Sequence, residues 1–449
     1  MKKLFSISLL FSVTAMMFTG CVSEEDDLFS TSAAERLMQS KKTYTERLGG
    51  STWAMEFYPL NTDEAPKGSG YLILNQFKKD GSVIQAMQNE MSDGKFLTDT
   101  SLWEVISDQG TVLTFNTYNK CIHTFSDPGL YQTGQGYEGD YEFVILSLEE
   151  GAKYGMLKGK KRGTYNRLTR LPDDTDFEAY LKDVNDFQNK VFSSSAPNEC
   201  MMNIGDSAFV ITDFSDGIVS MYPLGGDAIS ETTDHAYIVS KNDGKYYFRF
   251  REELPGKGDD KIQELVFDEA QDMFVGVDNP ANSIQGYPVG MFFSEYIESA
   301  QGRTWKVTAN APMSEKFKGY MDVLTEKFSQ LKDSRKRSYT FLGLSFGYNL
   351  RAKAMCWNVL YRSPGSSATS MAAYKENYNV NGDVVTFSYL EPAEESDAKV
   401  LTAIPEVSTV LQVLSQQYAI SAAETKFNLT TVKLVPASDA DCWFTMTIN

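Results

Sequence analysis

Apolar residues recur at alternate positions in short runs through most of the chain, the spacing that turns one face of a strand toward a core. From the N-terminal side these runs fall at residues 53–60, 70–77, 83–87, 102–106, 112–115, 141–148 and 154–157, closing at Leu171-Pro172. Turn residues punctuate them, such as Lys79-Asp80-Gly81-Ser82 and Ser107-Asp108-Gln109-Gly110. An Asp-Gly between two alternating runs is a strong hairpin signal. A second series covers 207–213, 217–222, 235–240, 245–250, 262–267 and 273–277, with Asn242-Asp243-Gly244 as one turn. A third covers 339–349, 354–361, 374–380 and 384–389, the last pair joined at Asn381-Gly382, and ends in runs at 427–435 and 442–448.

Four stretches carry the three-to-four residue spacing of helices instead. Ser32-Ala33-Ala34-Glu35 has the form of a capping box, opening a helix that directs Leu37, Met38, Tyr44 and Leu48 inward and stops at Gly49-Gly50. The others are 177–192, 315–331 and about 397–417. The pattern therefore predicts a mainly β (α+β) protein: antiparallel meanders forming barrel- or sandwich-like domains with a few packing helices. The order of one helix and then a meander recurs, without an alignable sequence repeat. A length of 449 residues exceeds one compact core. The expected division is 31–172 and 173–449, the latter split near 284–312.

Composition adds limits. Hydrophobic residues at 42% and aromatic residues at 13% are enough for ordinary cores. A formal charge of −18 repels phosphate backbones, so no nucleic-acid partner is expected. Cys121, Cys200, Cys356 and Cys442 have no metal-ligand spacing. They allow three disulfide connectivities or four free thiols.

The first thirty residues are separate in kind. Lys2 and Lys3 precede an apolar stretch at 4–18, then Phe18-Thr19-Gly20-Cys21. This is the layout of a secretory signal, predicted at residues 1–20. The last four residues resemble the bacterial lipobox, with Phe18 where Leu is usual. That resemblance implies lipidation at Cys21 and a membrane partner through the lipid. Ser23, Glu24, Glu25, Asp26 and Asp27 come next, in a tether spanning 21–30. The run reads either as a solvated spacer or, by its likeness to the acidic signal of Bacteroides lipoproteins, as an address for the cell surface.

Further stretches carry a family resemblance. They are Phe29-Ser30-Thr31-Ser32-Ala33-Ala34-Glu35-Arg36, Trp53 with Tyr58-Pro59, and Gly70-Tyr71-Leu72 with Phe77 and Asp80-Gly81. To these add residues 112–119, then Gly139-Asp140-Tyr141-Glu142-Phe143 with Leu157-Lys158-Gly159-Lys160-Lys161. Together they resemble the DUF4302 family of Bacteroides lipoproteins, most closely over residues 29–172. The resemblance implies an outer-membrane lipoprotein encoded near nutrient-import systems, with a transporter complex or a glycan or peptide ligand as partner. It supplies no catalytic residue. Separately, Gly50-Ser51-Thr52-Trp53 before a meander looks like the G-x-W opening of lipocalin-type barrels.

Several motifs match enzyme patterns without their context. Gly343-Leu344-Ser345-Phe346-Gly347 fits a nucleophile elbow, yet strand character continues through Tyr348, and both histidines, His123 and His235, precede the serine. Gly134-Gln135-Gly136-Tyr137-Glu138-Gly139 runs into a strand, where a dinucleotide site needs a helix. The segment 377–382 copies half a calcium loop but has Ser388 where Glu belongs, so a hairpin is the better reading. No catalytic set, metal site or cofactor is expected. Among 60 acidic residues some close pair is inevitable, and Asp213, Asp216, Asp259 and Asp260 sit in turn-like stretches. The basic clusters 158–162 and 335–337 read as solvated strand ends, or as a contact for lipid headgroups or an acidic glycan. Trp53, Trp103 and Trp305 are the candidates for exposed rings that stack on sugars. The leading expectation is a non-enzymatic binding or accessory lipoprotein, against a carboxylate-dependent glycosidase or a structural subunit of an import complex.

Overall fold

The computed structural model describes residues 31–108, 110–130, 134–192 and 199–448. Cys21, Ser23, Glu24, Glu25, Asp26 and Asp27 lie outside the described residues. The described chain is mainly antiparallel β, as the alternation predicts: three closed barrels of eight strands, each preceded by a helix.

Helix α1 (Ala33–Leu48) starts at the capping box, where Ser32 N–H donates to Glu35 Oε2 at 2.9 Å and Glu35 N–H to Ser32 Oγ at 3.2 Å. Tyr44 and Leu48 face the barrel, but Met38 is 64% exposed, contrary to its expected inward position. Only the last turns of the helix reach the barrel core, and Leu37 is half-buried. The first barrel comprises β1 (Ser51–Phe57), β2 (Tyr71–Phe77), β3 (Ser82–Met87), β4 (Leu97–Ser107), β5 (Thr111–Phe115), β6 (Glu142–Ser147), β7 (Tyr154–Gly159) and β8 (Tyr165–Leu171). It closes where β1 pairs with β8, Ala54 opposite Thr169. Trp53, Phe57, Tyr71, Phe77, Trp103, Phe115 and Phe143 fill the interior. Packed side chains thus occupy the space where an open ligand barrel keeps its cavity.

Helix α2 (Phe177–Val191) links the first two barrels, with Leu181 against Ala54 and Leu74 and Val184 in the next core. The second barrel runs β9 (Cys200–Ile204), β10 (Ser207–Asp213), β11 (Ile218–Pro223), β12 (Thr233–Asn242), β13 (Lys245–Pro255), β14 (Lys261–Asp268), β15 (Met273–Gly276) and β16 (Ser283–Gln285). Strand β16 returns to β9, Ile284 opposite Met202.

After α3 (Val289–Ser299) the third barrel begins with β17 (Thr304–Thr308), then α4 (Glu315–Gln330) and β18 (Thr340–Asn349). It continues with β19 (Ala354–Arg362), β20 (Thr369–Asn381), β21 (Val384–Pro392), α5 (Glu395–Ala403) and α6 (Glu406–Leu414). Strands β22 (Gln417–Ala422), β23 (Thr431–Pro436) and β24 (Phe444–Ile448) complete it, β24 closing on β17. The single helix expected over 397–417 is two helices, because Pro405 has no N–H to continue the ladder and instead precedes the first residue of α6.

The three barrels are an architectural repeat, and one fragment of sequence repeats with them. Gly50-Ser51-Thr52-Trp53 and Gly302-Arg303-Thr304-Trp305 each lead from a helix into the first strand of a barrel. Both tryptophans are buried, and their indole N–H groups donate to Ser51 Oγ at 2.7 Å and Phe293 O at 3.0 Å. The second barrel has no counterpart, which is why the sequence shows no threefold alignment.

Side-chain contacts fuse the barrels. Between the first and second, Glu56, Arg167, Arg249 and Glu264 form a buried ion cluster, and Gly70 lies so close to Ile238 that a Cβ there would stand 2.1 Å from Ile238 Cγ1. Between the second and third, Phe427 from the β22–β23 connection enters the second barrel's core. Asp272 holds that connection through Thr425 Oγ1 at 2.8 Å and Lys426 N–H at 2.6 Å. Among the described residues no helix is long and apolar enough to cross a membrane. Among the described residues the four cysteines are buried thiols outside any disulfide. Burial pushes the thiols of Cys121 and Cys200 up to about 12 and that of Cys356 to about 11, so they are poor nucleophiles.

Candidate ligand-binding site

A meandering barrel sends alternate connections to opposite ends. In the first barrel the turns after β2, β4 and β6 lie at the end where α1 joins. Gly50 N–H donates there to Phe77 O, and Arg47 pairs with Glu149 at 3.8 Å. The connections after β5 and β7 lie at the other end. The described parts of the one after β5, residues 116–130 and 134–141, fold back over the barrel and, with the turn at 160–163, form a cleft of about 880 Å³.

Local bonding fixes this connection. Asn119 is fully buried: its Oδ1 accepts from Cys121 N–H at 2.9 Å, and its Nδ2 donates to Ser101 Oγ at 3.1 Å. Its N–H donates to His123 Nδ1 at 3.1 Å, which fixes the ring's orientation and leaves Nε2 to carry the proton of the neutral tautomer. Two residues on, Phe125 stops the barrel mouth, its ring 5.0 Å from Phe57 and 4.6 Å from Tyr71. Two glycines of the G-x-G-x-x-G segment, Gly136 and Gly139, serve close packing. A Cβ on Gly136 would meet Asp127 O at 2.4 Å, and one on Gly139 would meet Phe125 Cβ at 2.7 Å.

Three rings form the cleft's shelf. Tyr118 and His123 have centroids 5.5 Å apart and planes 35° apart; for His123 and Tyr141 the values are 4.8 Å and 25°. Tyr118 is 61% exposed and Tyr141 42%, whereas His123 is half-buried between them. Burial holds the imidazole below its usual pKa, so it is neutral at physiological pH.

Charged groups on the opposing wall are mostly paired. Lys160 Nζ sits 2.7 Å from Asp108 and 3.1 Å from Glu142, and the two carboxylates hold its pKa above the ordinary lysine value. Arg162 meets Glu138 at 2.8 Å, and Lys67 meets the same carboxylate at 3.0 Å. Lys67 first and Arg162 next hold Glu138 below the usual range. Asp140, 5% exposed, accepts the backbone N–H groups of Lys161 at 3.2 Å and Arg162 at 2.7 Å. Burial raises its pKa against those two bonds. Asp140 thus acts as the turn's anchor, setting the side chains of Lys161 and Arg162 at the cleft. The three rings stack on one another, so the shelf they offer is the exposed surface of Tyr118 and Tyr141; opposite fixed donors and acceptors, it suits a ring with one apolar face and a polar rim.

The residues singled out from sequence fall in different places. Trp53, Trp103 and Trp305 are 3%, 5% and 0% exposed, so none can stack on a ligand; the long apolar indoles are core residues at the barrel mouths. The exposed rings at the cleft are tyrosines in or beside a connection, Tyr118 and Tyr141, and periodicity carries no signal for such positions. His123 belongs to the cleft, but His235 lies on β12 and shares a hydrogen bond with Thr233 at 3.0 Å. Ser345 is buried in β18 opposite Asn358, with no helix after it, and 377–382 is the β20–β21 hairpin. Asp213 bonds its neighbours Phe214 and Ser215, Asp216 occupies a left-handed turn position, and Asp259 and Asp260 lie in the β13–β14 connection. The basic cluster 158–162 borders the cleft, while in 335–337 Arg337 pairs with Asp333 at 2.8 Å. Among the described residues no group of three or more His, Cys, Asp or Glu is placed to hold a metal ion.

The chain belongs to the family described as "Domain of unknown function (DUF4302)", whose profile matches residues 25–269. That span takes in α1, the first barrel, α2 and the strands through β14. No curated protein matches the chain. Among solved structures it is similar to the DNA polymerase III beta subunit of Thermotoga maritima, at 8% identity over 92% of this chain and 96% of that one, TM-score 0.13. It is likewise similar to the Borrelia burgdorferi beta subunit, at 10% identity over 92% and 96%, TM-score 0.13. The Pseudomonas aeruginosa sliding clamp gives 7% identity over 93% and 97%, TM-score 0.15. Likenesses with such scores carry nothing about function.

Proposed function

We propose that this member of the DUF4302 family is a lipid-anchored outer-membrane protein that binds a saccharide in the first barrel's cleft without transforming it. The observation that carries the reading is the shelf of Tyr118, His123 and Tyr141, faced by Lys160, Lys161, Arg162, Glu138 and Glu142. Stacking a sugar's C–H face on such rings removes apolar surface from water, while the fixed polar groups select its hydroxyls.

The anchor supports the same reading. Several acyl chains on Cys21 would give stable attachment. The acidic run from Ser23 to Asp27 fits export to the cell surface, where soluble glycans are met. The tether leads into α1, which joins the barrel at the end away from the cleft. A ligand in the cleft would then lie clear of the membrane, and an import complex beside the protein is the natural recipient. The carboxylates lining the cleft favour binding over hydrolysis, because each has an assigned task. Asp140 and Asp127 hold backbone N–H groups, and Glu138 and Glu142 hold cations.

The test is binding of the purified soluble domain to a panel of immobilised plant and host glycans. At least one glycan should be retained by the wild type, with binding weakened about tenfold or more in Tyr118→Ala and Tyr141→Ala and melting temperatures unchanged. A panel with no binder, or a binder indifferent to both substitutions, would overturn the reading.

A further inference from the structure

The charges around the cleft are unevenly satisfied. The basic turn places four cations within five residues, Lys158, Lys160, Lys161 and Arg162, in a chain whose formal charge is −18. Three of them are occupied. Lys158 Nζ lies over the Tyr165 ring at 5.4 Å, Lys160 is shared by Asp108 and Glu142, and Arg162 is held by Glu138. Lys161 is exposed and lines the cleft, and among the described residues its ammonium forms no ion pair within 4 Å, although buried Asp140 feels its charge at longer range. Its backbone, by contrast, is fixed, because its N–H donates to buried Asp140. The next N–H, that of Arg162, donates to the same carboxylate, and a Cβ on Gly159 would stand 2.2 Å from Asp140 Oδ2. The turn is therefore held rigidly, with its one unpaired cation beside the aromatic shelf.

We infer that the saccharide taken by this cleft is acidic, with a carboxylate on the ring that packs on the exposed tyrosines of the stack, Tyr118 and Tyr141, and that Lys161 is the residue selecting it. This rests on the binding reading above and narrows it to uronate-bearing glycans. A neutral sugar would leave Lys161 unused. A carboxylate supplies the missing counter-charge, and the acidic remainder of the protein would repel such a ligand from other surfaces. An anionic membrane surface offers similar charge, but a bilayer is flat. It could not engage a shelf lying within a cleft at the barrel end away from α1.

The experiment compares oligogalacturonides, oligoglucuronides and oligomannuronates of three to four units with their methyl esters, which keep the ring and remove the charge. Titration calorimetry at low and high salt reads both terms. An exposed ion pair translates to a preference of about twofold to fivefold for one acid over its ester. That preference should fade at about 0.5 M salt and disappear in Lys161→Gln, while ester binding persists in that variant and is lost in Tyr118→Ala. Equal affinity for acid and ester would overturn the acidic inference and leave saccharide binding standing. Retention of the preference in Lys161→Gln would overturn the assignment of that residue. If neither form binds while vesicles containing anionic lipid do, and Lys161→Gln releases them, the cleft is a membrane contact and the inference fails. Binding of none of these probes would also overturn it.

Discussion

Glu56 of the first barrel and Arg249 of the second meet across the seam between them, Oε2 to Nη1 at 3.0 Å, with exposures of 1% and 9%. Arg167 lies beside the same carboxylate, Nε to Oε1 at 3.3 Å without hydrogen-bond alignment, and turns its other end to Glu264. Burying such charges costs desolvation that their mutual attraction only repays while every partner is present. Glu56→Ala leaves two guanidinium groups buried with one carboxylate, and a loss of about 3–5 kcal/mol is expected. Urea unfolding checks this, read by probes in each of the first two barrels. A loss below about 1 kcal/mol, the scale of a solvated surface pair, would refute the buried-cluster account.

This seam also marks where the sequence stopped being legible. Strands with apolar alternation, such as β4 at Leu97–Ser107, are visible because one face meets a core and the other meets water. Strand β8 carries buried Arg167 and Thr169 on its outward face, which the second barrel and α2 cover, and buried Asn166 on the opposite face, which accepts from Tyr58 N–H. Its polar residues therefore read as surface. The closing strands β9, β16 and β17 are short and were hidden for a related reason: closure depends on a partner far along the chain. Helix α3 buries Val289, Phe292, Phe293, Tyr296 and Ile297 opposite exposed Glu295 and Glu298, but at 11 residues its stripe spans only about three turns and reads as part of a connection. The cleft was half legible. The basic run at 158–162 stood out, but which rings face it depends on how a 26-residue connection folds back.

Phe427 belongs to the third barrel's chain and to the second barrel's core. It lies 3% exposed, with ring centroids 5.7 Å from Phe274 and 6.4 Å from Phe192 and Phe267. Phe427→Ala should cost about 3–5 kcal/mol. The loss should appear in the second barrel, away from the mutated segment's own strands. Hydrogen exchange would show faster exchange in β14 and β15, with β17 and β18 unaffected. Faster exchange confined to β22 and β23 would mean the ring stabilises only its own connection.

Attachment can be tested apart from binding. In cells, Cys21→Ser should yield protein that no longer takes up labelled palmitate and leaves the membrane fraction, with the three barrels intact by circular dichroism. Unchanged labelling and partition would remove the lipid anchor from the account. Replacing Glu24, Glu25, Asp26 and Asp27 by Asn and Gln separates the two readings of the acidic run. Protease shaving of whole cells should release the wild type and spare this variant if the run is an export signal. If the run is only a spacer, both proteins are released alike.

In the third barrel, Glu376 is a carboxyl at odds with its surroundings. It sits at a bulge between β20 and β21, 4% exposed. Ser415 Oγ donates to Oε1 at 3.3 Å, while Oε2 has no hydrogen-bond partner. Burial pushes its pKa up to about 8, from an ordinary value of 4.5. Below pH 4.5 the group is protonated in folded and unfolded chains alike, and its contribution to stability is intact. Between pH 4.5 and about 8 the unfolded chain releases the proton and the folded chain keeps it, so stability falls with rising pH. Above pH 8 the folded state must hold the buried charge and the loss is complete. Each pH unit in that window costs at most about 1.4 kcal/mol. Glu376→Gln abolishes the titration, so the variant should gain on the wild type by about 2–4 kcal/mol between pH 4.5 and pH 8.5. Urea unfolding of both proteins at those two pH values measures the difference, in which all groups common to the two cancel. A gap between variant and wild type that stays the same at both pH values would show that Glu376 ionises normally in the folded protein.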